Sequence, residues 1–339
     1  MQSKTGVLLV NLGTPDSPNT PDVRKYLRQF LSDGRVIDIN PIGRFLLVNL
    51  IIAPFRSPKS AKEYQKVWTK EGSPLLVNGL KLRDLVQEKL GNNYEVILGM
   101  RYQNPSLESA LNQLKDKGLD KIIVFPLFPQ YASATTGSVH QEVFRIVGKW
   151  QTIPQMILVD AYPENPKMIQ TFAELGQRHR QKTDFEHFIF SYHGLPERQI
   201  RKADTTDKCL TQNCCETLHP KNKLCYRAQC FATSRKLAEA LQLSENQYTV
   251  CFQSRLGKDP WIQPYTEEVI LNLTKKGIKS VLAFSPAFTS DCLETTVEVG
   301  QEYKEVFEEN GGIHWELVES LNIEPLWVDA VADMILEYN

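Results

Sequence analysis

The sequence predicts an α/β protein of two similar domains, each a parallel four-stranded sheet flanked by helices. Eight short apolar runs are separated by stretches with helical periodicity and turn residues, the rhythm of parallel α/β sheets. They fall four to each half. The halves also align: a slide of 154 residues sets Tyr94, Val96 and Arg101 on Tyr248, Val250 and Arg255, and a slide of 159 sets Gly118, Phe125, Leu158, Val159 and Pro166 on Gly277, Phe284, Leu317, Val318 and Pro325. At the first strand the slide is 181, matching Gly13 and Pro15 to Gly194 and Pro196. A tandem duplication is the economical explanation, and 339 residues suit two domains.

The first run, Gly6 to Leu12, reads as a buried strand that breaks at Gly13-Thr14-Pro15; no small-residue cleavage site follows it, and a cytosolic or peripheral protein is expected. Between Pro41 and Pro58 the chain is too apolar for an ordinary exposed loop. It is either a core helix between prolines or a lip for a flat apolar ligand or membrane surface. The runs Tyr94 to Met100, Lys121 to Phe128 and Gln155 to Ala161 complete a first domain, residues 1–160. Phe188 to Tyr192, Tyr248 to Gln253, Ser280 to Phe284 and Trp315 to Ser320 supply the second, residues 161–325, with a cysteine-rich insertion at 202–230. Residues 326–339 are expected to form a helix packing back on the first domain.

Lys and Arg number 39 against 40 Asp and Glu, so no basic surplus exists to hold nucleic acid by phosphate neutralisation. With 42% apolar and 23% charged residues, disordered and fibrous classes are excluded. No apolar stretch reaches the ~20 residues needed to span a bilayer. Neither G-x-G-x-x-G nor G-x-x-x-x-G-K follows any strand, which lowers nucleotide chemistry. Five of seven cysteines (Cys209, Cys214, Cys215, Cys225, Cys230) fall within one segment, favouring metal ligation over disulfides in a chain without a secretion signal.

Ligands of open parallel sheets bind beyond the carboxyl ends of the strands, and pockets favour domain boundaries, so the loops there should carry the chemistry. His193 leaves a buried strand just before Gly-Leu-Pro, where the first half has Leu12. An imidazole can take a proton near neutral pH or bind a metal, although a lone histidine at a strand end is often structural. Asp291, Glu294 and Glu298 are spaced three and four apart, which on a helix places them on one face. Acids in a first helical turn also merely cap it, but Glu298, a turn further in, fits better in a carboxylate row passing protons or cations. Arg101-Tyr102 and Gln253-Ser254-Arg255 with Trp261 suit a large planar anion held by guanidinium and aromatic faces; a surface Arg and a packed Trp are the plain alternative.

Taken together, VNLGTPDSP, RYQNP, FPQYASATTGS, SYHGLPER, CFQSRLGKDPWIQPYTEE, AFTSDCLETT and the segment Ser320 to Ala332 resemble ferrochelatase, which inserts ferrous iron into a porphyrin in haem synthesis. The resemblance covers nearly the whole chain and implies two Rossmann-like domains with an active-site cleft between them. It implies that His193 is the essential imidazole, facing Glu294, with Glu298 and Asp291 continuing the acidic row and His193 and Glu294 meeting the substrate iron. It also implies porphyrin contacts near Leu12, Arg101, Tyr102, Tyr131, Ser254 and Trp261. Some members carry His at the place of Cys292, and others share the Asp-Cys-Leu-Glu-Thr form.

In animal members a [2Fe-2S] cluster draws one cysteine from the loop where this chain has Ser133. Some bacterial members take cluster ligands from an internal segment, so four of Cys209, Cys214, Cys215, Cys225 and Cys230 are the candidate ligands here, with Cys230 the spare. A [2Fe-2S] cluster is favoured over zinc, and over free thiols. Leu12, where coproporphyrin-using relatives tend to carry Tyr, and Trp261 lean toward protoporphyrin IX. The alternatives are a chelatase for coproporphyrin III or sirohydrochlorin, or a non-catalytic haem carrier. The expected partners are protoporphyrin IX and ferrous iron, with peripheral contact of 41–58 at the inner membrane.

Overall fold

Eight strands form in the order the apolar runs suggest: β1 (Thr5–Gly13), β2 (Tyr94–Tyr102), β3 (Lys121–Pro126), β4 (Gln155–Leu158), β5 (His187–His193), β6 (Tyr248–Gln253), β7 (Ser280–Phe284) and β8 (His314–Leu317). A computed structural model describes residues 4–204, 209–211, 213–255, 257 and 259–338. The remainder, including 205–208 and 212 of the cysteine-rich segment, lie outside the described residues. Three strands end earlier than the apolar runs. β3 stops at Pro126, which has no N–H to offer the ladder, and β4 and β8 are edge strands pairing with one neighbour over only four residues.

The chain divides into two compact units. Unit 1 comprises Met1–Phe128, Ala132–Asp160 and Val328–Asn339; unit 2 comprises Pro129–Tyr131 and Ala161–Trp327. In unit 1 the strand order is β2-β1-β3-β4, all parallel, and in unit 2 it is β6-β5-β7-β8, again all parallel. The second order is the first moved on by four strands, the topology expected of a repeated unit.

Burial follows from this order. β1 hydrogen-bonds on both edges and is covered on both faces, so Val7, Leu8, Leu9 and Val10 are fully buried, the continuous apolar pattern of a central parallel strand. Leu8, Val10, Ile122 and Val124 pack on Leu107, Leu111 and Leu114 of the helix Leu107–Asp116 and on Val139, Val143 and Ile146 of the helix Ser138–Val147. In unit 2, Ile189, Val281 and Ala283 meet Ile270 and Leu273 of the helix Thr266–Lys275, together with Val299, Phe307 and Trp315. From the last helix, Asp329 pairs with Lys89 at 2.5 Å, and the Tyr338 carbonyl accepts from Lys121 at 2.8 Å.

Among the described residues three segments wind as π-helices: Leu47–Ile52, Ser133–Gly137 and Glu294–Glu302. Around the first, helices Pro41–Leu46 and Ala53–Val67 carry the apolar stretch. Ala53 N–H bonds to the Val48 carbonyl, an i→i−5 bond in the turn just ahead of Pro54, whose ring and missing N–H disfavour ordinary i→i−4 continuation. The segment is no core helix. Ile42, Phe45, Leu50 and Phe55 are 73%, 62%, 61% and 79% exposed, while Val48 and Ala53 turn inward. No helix among the described residues is long and apolar enough to cross a membrane.

Candidate active site

The candidate catalytic residues lie in unit 2, at the carboxyl ends of β5, β6 and β7. His193 is the last residue of β5 and stands in register with Gln253, the last of β6. Its Nδ1 lies 2.7 Å from the Gly194 carbonyl. A carbonyl can only accept, so Nδ1 carries the proton and Nε2 is the ring's acceptor. Tyr226, at the start of the helix Tyr226–Ala240, donates its hydroxyl to the His193 carbonyl at 2.8 Å. The Trp261 ring lies 6.4 Å from the imidazole, centre to centre. It is held there because Glu197 N–H bonds to Pro260 O at 2.9 Å and Ile262 N–H to Leu195 O at 3.0 Å.

Gly194 makes this approach possible. A Cβ at that position would lie 2.7 Å from the Gln253 carbonyl oxygen and 3.1 Å from the Trp261 ring. Gly194 N–H itself donates to that carbonyl at 2.8 Å. Only a residue without a side chain lets the two strand exits run side by side.

Gln253 joins the imidazole-bearing strand to the carboxylates. Its Oε1 accepts from Ser191 Oγ at 2.8 Å; its Nε2 donates to the Glu294 carbonyl at 3.1 Å and to Glu298 Oε2 at 3.0 Å. Ser254 Oγ donates to the same Glu298 oxygen at 2.6 Å, from a residue held at φ 66°. A non-glycine residue in the left-handed region costs of order 1–3 kcal/mol, and such strain gathers at functional sites. Tyr303 completes the set, donating to Glu298 Oε1 at 3.2 Å. That pairing follows from the π-helix: the Tyr303 N–H bonds to the Glu298 carbonyl five residues back, so the wider turn stacks the two residues. Burial, then the Glu298 charge, push the Tyr303 phenol far above its ordinary range. Burial likewise drives the Cys292 thiol well up, reinforced by the charge and hydrogen bond of Glu294.

Asp291 does not join the row. The three-and-four spacing predicts one helical face, but the π-helix begins at Glu294 and Asp291 lies in the loop ahead of it. Its Oδ1 accepts from Ser320 N–H at 2.9 Å and its Oδ2 from Asn322 Nδ2 at 2.7 Å, so the carboxylate fastens one loop to another. Tyr303 and Tyr226 are the candidate site residues that sequence reasoning leaves out, and Gln253, read there as a ligand-holding amide, anchors Glu298 instead.

The remaining candidates divide between the units. Tyr131, in unit 2, is moored by its backbone N–H to Gln229 Oε1 at 2.5 Å, and Ser254 and Trp261 are placed as above. In unit 1, Leu12 is half-buried at the end of β1. Arg101 pairs with Asp33 at 2.7 Å, and Asp33 also accepts from Tyr102 at 2.9 Å and Ser138 at 2.5 Å. Burial opposes the Asp33 charge, but the bonds from Ser138 and the Arg35 backbone, with the Arg101 guanidinium, hold its carboxyl below the usual range. Tyr102 is fully buried, so it supports Arg101 and Asp33 from beneath and offers no face to a ligand.

Among the cysteines, Cys214 Sγ and Cys215 Sγ lie 3.6 Å apart, and the Cys215 thiol hydrogen-bonds to Cys225. This bond lowers the Cys225 pKa and raises that of Cys215. Cys209 lies within electrostatic reach of Cys214, Cys215 and Cys225, while Cys230 is fully buried beside Tyr226. Among the described residues no group of three or more His, Cys, Asp or Glu side chains is arranged to hold a metal ion.

The ferrochelatase family model matches residues 4–339. The chain belongs to the ferrochelatase family. It is 46% identical over 333 residues to the ferrochelatase of Coxiella burnetii (strain Dugway 5J108-111), covering 98% of this chain and 93% of that one. It is 44% identical over 334 residues to the ferrochelatase of Legionella pneumophila (strain Lens), covering 98% and 99%. Among solved structures, SirB from Bacillus subtilis with Fe3+ superposes with a TM-score of 0.54 at 12% identity, covering 98% of this chain and 95% of that one. The sirohydrochlorin chelatase SirB from Bacillus subtilis subspecies spizizenii in complex with cobalt gives a TM-score of 0.52 at 12% identity, covering 98% and 94%. At that identity the likeness shows the shared fold alone, a two-domain chelatase architecture. As a ferrochelatase the chain is a lyase of haem biosynthesis, with ferrous iron as substrate.

Proposed function

We propose that this ferrochelatase inserts ferrous iron into protoporphyrin IX to give protohaem, and that His193 accepts the departing pyrrole protons while Glu294 and Glu298 carry them away. The insertion balances as porphyrin plus Fe(II) giving haem plus two protons, so the protein must remove two protons from a flat apolar ligand. The observation that carries the reading is the succession from His193 through its register partner Gln253 to Glu298. With Nδ1 committed to Gly194, the imidazole has one nitrogen to receive a proton. Three neutral donors, Gln253, Ser254 and Tyr303, fix the Glu298 carboxylate in place at the end of that succession. Asp291 drops out, its oxygens being occupied. Trp261, Ser254 and Tyr131 are proposed as porphyrin contacts, and Leu12, Arg101 and Tyr102 enter on the resemblance alone. Leu12 and Trp261 favour protoporphyrin over a more carboxylated macrocycle. Incubation with Fe(II) and either protoporphyrin IX or coproporphyrin III, followed by absorbance, tests reaction and substrate together. His193→Ala should abolish insertion with the fold intact; near-normal haem formation by that variant removes His193 from the mechanism.

The thiols of Cys209, Cys214, Cys215 and Cys225 fit the donor set of a [2Fe-2S] cluster, which takes its ligands two to an iron. Two thiolates on one tetrahedral metal at ~2.3 Å stand about 3.8 Å apart, close to the 3.6 Å between Cys214 and Cys215. Arg227, which hydrogen-bonds to Cys215, supplies positive charge for the anionic group. When bound, such a cluster supplies a redox-labile tie across the segment. An anaerobically purified protein without iron and sulfide rejects this assignment. The exposed face of Ile42, Phe45, Leu50 and Phe55 supports peripheral contact with the cytoplasmic side of a membrane, which flotation with vesicles measures.

A further inference from the structure

Unit 1 holds a cleft of about 800 Å3 along the helix Thr20–Leu31, where Asp33 is the one carboxylate in the lining and its charge is met by Arg101; around it stand Arg24, Lys25, Arg28, Arg101 and Gln103. Four of those five are cationic, and only two have a carboxylate partner: Lys25 pairs with Asp16 at 3.2 Å and Arg101 with Asp33 at 2.7 Å. Arg24 and Arg28 stand one turn apart on the helix and pair with no carboxylate among the described residues. Two polar atoms in the lining are buried without a hydrogen-bond partner, Arg24 Nε and Gln103 Oε1. Gln103 is only 7% exposed, and its amide orientation is fixed. Its backbone N–H and its Nε2 both donate to Gln29 Oε1, at 2.9 and 2.5 Å, so Oε1 is the atom left over.

Buried polar atoms are nearly always satisfied, and an orphan donor and an orphan acceptor in one cavity describe the missing partner. The guanidiniums of Arg24 and Arg28 match carboxylates through paired N–H groups. The Gln103 oxygen repels a second acceptor and requires a hydroxyl or N–H. We propose that this cleft is a binding site for a small hydroxy-polycarboxylate, whose carboxylates meet Arg24 and Arg28 and whose hydroxyl donates to Gln103 Oε1. The site borders Arg101, a porphyrin contact on the resemblance, but Arg24, Arg28 and Gln103, which carry it, have no part in the catalytic reading above.

Calorimetric titration of the full chain at fixed ionic strength tests this, with citrate, tricarballylate (the same three carboxylates without the hydroxyl) and inorganic phosphate as probes. Citrate should bind saturably at one site, and tricarballylate about tenfold more weakly, the worth of one buried hydrogen bond. Phosphate should bind more weakly than citrate. The double variant R24A/R28A should lose at least about tenfold in citrate affinity. The exposed Arg28→Glu, which cannot disturb the core, should abolish binding with the melting temperature unchanged. Absence of saturable citrate binding, or equal binding by R28E, overturns the site. Equal affinity for tricarballylate overturns the hydroxyl assignment, and equal affinity for phosphate overturns the carboxylate class.

Discussion

Replacing Gln253 by Glu puts a carboxylate where an amide now donates to Glu298 at 3.0 Å. Two like charges at that separation repel by about 5 kcal/mol at an effective dielectric of ~20. Glu298 is half-buried and water screens part of this, leaving roughly 2 kcal/mol. The pair therefore retains a shared proton to higher pH, as closely set carboxylates do. If Glu298 must be ionised to take protons onward, the acidic limb of the rate profile should move up by about one to two pH units, since one unit corresponds to about 1.36 kcal/mol. Gln253→Leu removes the same donor without adding charge, so it should lower kcat about tenfold and move the limb up by less than Q253E does. The assay is anaerobic Fe(II) insertion into protoporphyrin followed by absorbance from acid to neutral pH. Coincident profiles for Q253E and Q253L would refute the proton-carrying role of Glu298.

Gly194→Ala should lower both activity and stability, by about 2 kcal/mol in the latter, because its methyl would meet the Gln253 carbonyl at 2.7 Å and break the Gly194 N–H bond to it; wild-type thermal stability would contradict the close approach. Asp291→Ala should cost about 1–3 kcal/mol of stability by orphaning Ser320 N–H and removing one acceptor from Asn322 Nδ2, with turnover per folded molecule little changed; the reverse pattern returns Asp291 to the acidic row. His187 is held at about 4 by burial and by the Lys276 charge. Its folded value lies below the unfolded ~6.5, so the unfolded chain binds more protons, and stability is full above about pH 6.5 and falls by up to about 3 kcal/mol toward pH 4. His187→Gln should flatten that part of the pH dependence in denaturant titrations, and an unchanged slope counts against the assignment.

Strand identity and the repeat were legible because they rest on burial and matched offsets: the two-sided cover of β1 writes itself as Val7-Leu8-Leu9-Val10, whereas the order of strands within each sheet leaves no such mark. His193 is a candidate because it ends a strand, and Glu294 and Glu298 because their spacing sets them on one face of the helix that follows β7. Asp291 misled because spacing assumes a helix that has already begun. Tyr303 escaped because a residue five beyond Glu298 faces away on an α-helix and meets it only on a π-helix. Gln253 reads in sequence as a ligand-holding amide, and its bond to Glu298 shows only once the register with His193 is known.

The widened helix at Glu294–Glu302 has a counterpart at Ser133–Gly137, and each follows the third strand of its own unit. An uncommon winding at the same topological address in both halves argues for common descent: the ancestral half-length protein already possessed it before the gene doubled. Today the winding carries glutamates in the second copy and Ser, Ala, Thr and Gly in the first, so the two halves share a shape while differing in the groups set upon it.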